Sequence, residues 1–125
     1  MVNWVAEYKP PWYKQAFGSY PYSVDVLDIL RTIPQSLLGG YVGAQTGRDS
    51  RDAAIKGAVF GAAANALTRA QIALEYQAYQ LAAPGAPVYS ETPDFVTHEV
   101  FVGLIESLVG AGVGAAFGWL LKKFR

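Results

Sequence analysis

Residues 39–61 read GGYVGAQTGRDSRDAAIKGAVFG, and the fold turns on how that stretch is read. Gly39, Gly43 and Gly47 recur every four residues. The charged run Arg48-Asp49-Ser50-Arg51-Asp52 follows, and then Ala53, Gly57 and Gly61 resume the same spacing. Four-residue spacing puts these positions on one helical face, where the missing side chains let another helix approach almost backbone to backbone. The charged run predicts the turn of a helical hairpin, because Gly47 closes a helix and the charged side chains cannot sit in lipid.

Further along, Gly110, Gly114 and Gly118 form a third row, beside the parallel row Gly103, Ser107, Ala111 and Ala115. In water each interior glycine costs ~1 kcal/mol of helix stability relative to alanine. In lipid the hydrophobic effect gives helices no reason to associate, and close packing at small residues is the available adhesive. The expected fold is therefore all-α: about three membrane-embedded glycine-zipper spans, with helices at about 24–46, 52–83 and 94–123, preceded by an N-terminal arm over 1–23. The competing reading is a soluble alanine-rich bundle with tight crossings.

The first helix has Ser23 or Asp25 as start signals and carries Asp25, Asp28 and Arg31 in turns expected at the interface. Pro34 marks a kink or a break. The second is apolar from Ala53 to Leu67, so Arg69, Gln71, Glu75, Gln77 and Gln80 are expected in water or against a partner. Pro84-Gly85-Ala86-Pro87 ends it. The third is apolar from Val100 to Leu121, long enough to span a bilayer, and only Glu106 interrupts it. An ionisable group within a span is costly and often functional, so Glu106 is a candidate intramembrane acid, for a proton path or for pairing with a neighbouring subunit. In the arm, Trp4, Tyr8, Trp12, Tyr13, Phe17, Tyr20 and Tyr22 alternate with prolines and lysines. Prolines at that density predict irregular chain, and the aromatics suit either a membrane–water boundary or the surface of a soluble partner.

The 125 residues suffice for one compact domain or a few spans, and charged residues make up 16% against the ~25% usual in soluble domains. Ten basic and ten acidic side chains cancel and are spread along the chain, leaving no electrostatic footprint for nucleic acid. Without cysteine there is no disulfide, thiolate metal site or cysteine nucleophile. The opening Met1-Val2-Asn3-Trp4 predicts neither a signal nor a transit peptide. Arg48 and Arg51 share one expected side with Lys122, Lys123 and Arg125, whereas the second loop has Glu91, Asp94 and Glu99 and no basic residue. The basic side should face the cytoplasm or matrix. His98 is the sole histidine, no phosphate loop or dinucleotide fingerprint occurs, and no histidine is placed to activate Ser36, Ser50 or Ser107. No enzymatic activity, cofactor, metal or small-molecule substrate is expected.

The run from Arg48 to Gly61 resembles the signature of the mitochondrial inner-membrane preprotein translocase family, which also includes an accessory membrane subunit of respiratory complex I. Arg48 and Asp52 match its charged pair, and Gly57 and Gly61 its paired glycines. Lys56 stands where the family has a small residue, the interval from Asp52 to Gly57 is shorter, and the spans number three rather than four. The resemblance implies a mitochondrial inner-membrane protein that either supports a respiratory complex or belongs to a translocase, with Arg48 and Asp52 as a functional charged turn. The expected role is a non-catalytic accessory subunit, most readily of a respiratory complex, whose glycine faces pack against larger subunits. Two alternatives are a protein-translocase component and a structural protein of a virion membrane or capsid.

Overall fold

The computed structural model describes residues 12, 16–82 and 93–124. Most of the expected arm and the loop after residue 82 lie outside the described residues. The arm's last part is not irregular. β1 (Ala16–Ser19) and β2 (Tyr22–Asp25) pair antiparallel, Ala16 opposite Asp25 and Ser19 opposite Tyr22. Pro21 sits in the turn between them, joined to Tyr20 by a cis peptide bond, where its missing N–H takes nothing from the ladder. Gly18 has φ +89°, a left-handed conformation that a side chain would strain.

Asp25 ends the hairpin and caps α1 (Val26–Leu30). The Asp28 N–H donates to Asp25 Oδ1 at 2.7 Å and the Asp25 N–H to Asp28 Oδ2 at 3.2 Å, a reciprocal capping box. The stretch expected as one helix over 24–46 is thus divided, with α2 (Thr32–Thr46) beginning after Arg31. Pro34 is the physical reason, since it has no N–H to offer the carbonyl four residues earlier and is tolerated only in a first turn. The Thr32 hydroxyl donates to the Ile29 carbonyl across the joint at 2.6 Å.

α3 (Ser50–Ala82) starts two residues before the expected Asp52, because Asp49 Oδ1 accepts the Asp52 N–H at 2.8 Å and caps it. α4 (Pro93–Lys123) opens on proline, at a position where the missing N–H costs nothing. Gly47 leaves α2 in extended conformation, φ −75° and ψ 143°, not in the left-handed conformation of a glycine cap. Glycine is needed there for space: a Cβ would lie 2.7 Å from the Ala53 backbone.

The zipper rows meet one another. Gly39 faces Gly61, Gly43 faces Gly57 and Gly47 faces Ala53, so α2 and α3 run antiparallel. On α3 the same glycines also face α4, Gly61 against Gly110 and Gly57 against Gly114, while Gly118 lies against Ala53. A Cβ on Gly43 would stand 2.5 Å from the Gly57 nitrogen, and one on Gly118 2.7 Å from the Ala53 carbonyl oxygen. Gly40 closes the triangle against Gly114 and Phe117. The glycine faces expected to bind larger subunits are therefore used inside the chain. Of the parallel row on α4, Gly103 approaches only the Arg69 side chain, and Gly112, outside both rows, has open space in front of it.

Candidate functional site

Extending each glycine row by further steps of four leads into polar residues. On α3 the buried row is Ala53, Gly57, Gly61, Asn65 and Arg69; on α4 it is Val102, Glu106, Gly110, Gly114 and Gly118. On α2, Thr32 and Ser36 are in step with Gly40, next to the Gly39–Gly43–Gly47 row. The three helices thus enclose a column that is glycine-lined at one end and polar at the other.

Asn65 Nδ2 donates to the Ser36 hydroxyl at 3.1 Å and to the Gly61 carbonyl at 2.9 Å, bridging α2 and α3. One turn on, Arg69 grips Glu106 with a fork, Nε to Oε1 at 2.6 Å and Nη2 to Oε2 at 3.1 Å. Both residues are buried, 8% and 4% exposed. Arg69 Nη1 also reaches Glu99 at 3.3 Å, and Nη2 reaches Asp28 at 3.3 Å. A single guanidinium therefore ties α1, α3 and α4 together through three carboxylates. Arg31 stands 4.0 Å from Asp28 at the edge of the cluster. A bidentate arginine–carboxylate pair fixes orientation as well as contributing energy.

This corrects the placement of Arg69, expected in water or against a partner; it is an interior residue. Glu106 has its partner within the chain. The missed signal was the four-residue period itself, which continues from Gly57 and Gly61 to Asn65 and Arg69 without a break.

The hairpin docks on the first turns of α4. Tyr22 meets Phe101 edge-on, with centroids 5.7 Å apart, and His98 Nδ1 lies 3.1 Å from the Pro21 carbonyl oxygen. A carbonyl only accepts, so Nδ1 carries the proton and His98 holds the turn in place.

At the opposite end of the bundle, Asp52 Oδ2 accepts the Arg48 N–H at 2.9 Å and lies 3.0 Å from Lys56 Nζ. Lys56 in turn donates to the Thr46 carbonyl at 2.9 Å, which ties the last turn of α2 to the first of α3. The Arg48 N–H and the Lys56 ammonium hold the Asp52 carboxyl down at about 2, against an ordinary 3.8. Arg48 and Asp52 do meet, Nε to Oδ2 at 3.5 Å, but the Arg48 side chain is 86% exposed. Lys56, expected only as a departure from the family signature, completes this turn.

Much of the outer face is apolar: Leu38, Ile55, Val59, Leu67, Val100, Leu104 and Leu108 are all exposed, Leu67 to 73%, although Gln71 and Glu75 on α3 are exposed as well. Among the described residues one helical segment, Asp94–Lys123, is long and apolar enough to cross a membrane, with mean hydropathy 1.9. No protein family matches the chain, and neither a curated protein nor a solved structure does.

Proposed function

We propose that the chain is a non-catalytic, membrane-embedded structural subunit of a larger complex, with α1–α2, α3 and α4 each crossing the bilayer. The observation that carries this reading is the inversion of the bundle: its buried residues, among those described, are glycine, alanine, serine, threonine, asparagine, Val102 and one ion cluster, while many of its large apolar side chains are exposed. In water that arrangement would bury polar groups and expose apolar ones, against the main driving force for folding. In hydrocarbon the buried polar groups, apart from Gln35 Oε1, satisfy one another and the leucines meet lipid or partner helices. Length agrees. From Val26 to Thr46 the two helical pieces end to end reach ~31 Å at 1.5 Å per residue, close to the ~30 Å hydrocarbon layer.

Arg48 and Arg51 share one end of the bundle with Lys122 and Lys123, because Gly47, Ala53 and Gly118 lie together; that end would face the cytoplasm or the matrix. A place beside a respiratory complex in the mitochondrial inner membrane rests on the resemblance carried by Arg48, Asp52, Gly57 and Gly61. Since those glycines are occupied within the chain, partners would bind the outer leucine and valine faces. Alkaline carbonate washing of membranes is the direct test: the protein should stay in the pellet, and quantitative release into the supernatant would remove the membrane reading. Native mass spectrometry of the assembly should then show oxidoreductase subunits; crosslinking to a transiting polypeptide would favour the translocase alternative instead.

A further inference from the structure

At the end of the bundle away from the charged turn, a cavity of about 490 Å³ is lined by Tyr20, Ile72, Tyr76, Phe95, His98 and Glu99. Three elements build it: the hairpin turn, the later part of α3 and the first turns of α4. Two ring pairs frame it, Tyr20 with His98 at 4.9 Å between centroids and Tyr76 with Phe95 at 5.5 Å. Its size is that of a small-ligand site, and aromatic faces are negative and attract cations.

Among the described lining residues Glu99 is the one carboxylate, and it shares its guanidinium with two others. Arg69 commits Nε and Nη2 to Glu106, shares Nη2 with Asp28, and leaves Glu99 only Nη1 at 3.3 Å. None of the described lining residues is lysine or arginine. Electron-rich walls and a carboxylate that shares one guanidinium with two others are the features that select an ammonium group.

A second cleft of about 470 Å³ also borders Glu99. It runs between α3 and α4 over Ala66, Ala70, Ala73, Val100 and Leu104, with Arg69, Glu99 and Ser107 as its polar lining and the rest small or aliphatic. Two spaces meeting at one carboxylate, one aromatic and one aliphatic, match the two parts of an amphiphile. From this we infer that the pair of cavities binds a zwitterionic phospholipid, its ammonium headgroup against Tyr76 and Glu99 and an acyl chain along the Ala66–Ala70–Ala73 groove. The lipid source rests on the membrane reading above; the ammonium chemistry does not.

The test uses the full chain with three probes: phosphatidylcholine, phosphatidylglycerol with the same acyl chains, and tetramethylammonium. In native mass spectrometry from mild non-ionic detergent, phosphatidylcholine should be retained over phosphatidylglycerol. Tyr76→Leu and Glu99→Gln should each cut that retention about fivefold, the worth of one cation–aromatic or charge contact. Glu99→Gln also touches Arg69, whereas Tyr76→Leu does not, so the second variant reads the cavity alone once unchanged helicity is verified by circular dichroism. Ala70→Leu, which fills the groove, should reduce lipid retention and leave tetramethylammonium binding intact; Leu108→Ala, outside both cavities, should change neither. Equal retention of the two lipids, or phosphatidylcholine retention indifferent to both Tyr76→Leu and Glu99→Gln, overturns the lipid site. Should the chain prove water-soluble without detergent, the membrane reading fails separately, and the cation cavity is then judged in buffer by whether tetramethylammonium shifts the ring resonances of Tyr20 and His98. No shift there overturns it.

Discussion

Removing Arg69 and removing Glu106 should not be equivalent, although they share a salt bridge. Arg69→Met takes the guanidinium from the centre of three carboxylates and strands Glu106, Glu99 and Asp28 together, with Arg31 the one other cation near them among the described residues, 4.0 Å from Asp28. Breaking a buried pair by deleting one partner costs about 3–5 kcal/mol, and here the charges left behind repel one another. Glu106→Gln keeps the shape and one acceptor for Nε, while Arg69 retains Glu99 and Asp28, so the loss is that of hydrogen bonds to a charged group, about 1–3 kcal/mol. The two side chains are 9% and 6% exposed, so solvent screening discounts neither figure much. For a chain of this size roughly 4 °C of Tm accompanies each kcal/mol, which predicts losses of about 12–20 °C for Arg69→Met and about 4–12 °C for Glu106→Gln. Thermal unfolding followed by circular dichroism in one detergent at pH 7 reads both. A Glu106→Gln loss equal to or larger than the Arg69→Met loss would refute the arrangement of one cation among three acids.

Glycines of the same helix should respond oppositely. Gly114→Ala places a methyl against the Gly57 backbone and should destabilise by more than 1–3 kcal/mol, the usual cost of overpacking a relaxed core, because backbone atoms cannot move aside as side chains do. Gly112→Ala meets open space and should gain up to ~1 kcal/mol of helix propensity, so a parallel pair of melting curves checks both. At the charged turn the Asp52 carboxyl is depressed, so its stabilising contacts are fully present above pH 3.8 and are lost as pH falls through about 2. Carboxyl carbon shifts should titrate with a midpoint near 2, and a midpoint at 3.8 would show that the Arg48 N–H and Lys56 do not hold it. Arg48→Ala, on an exposed side chain, should leave this midpoint low, because the backbone donor and Lys56 remain.

The glycine rows made the hairpin and the third helix legible, since spacing of four has one geometric meaning on a helix. The same rule concealed the ion cluster. A search for small residues stops at Gly61 and Gly110, because arginine and glutamate are the types expected to leave an interior face, yet both continue the period of their rows. The hairpin over Ala16–Asp25 was hidden differently: proline density reads as irregular chain, although Pro21 occupies the turn and leaves both strands free to pair. The split between α1 and α2 was half legible, as Pro34 announced a break but not that Arg31 would be its site.

Row-on-row packing of glycines is degenerate along the helix axis. Sliding α4 by four residues along α3 would replace the Gly57–Gly114 contact with Gly57–Gly110 or Gly57–Gly118, which are chemically the same. The polar end removes that freedom. In the observed register Gly61 lies against Gly110 and Gly57 against Gly114, so one further step puts Asn65 level with Glu106 and the next puts Arg69 level with Val102. Helical side chains lean towards their own N-terminus, and because the helices are antiparallel Arg69 and Glu106 lean towards each other and their heads meet midway. A slip of one turn in one sense carries the two heads past each other. In the other sense it separates the residues by two turns, ~11 Å at 5.4 Å per turn, and strands Glu106. The glycines thus supply close approach without position, and Arg69, buried among three carboxylates, supplies position.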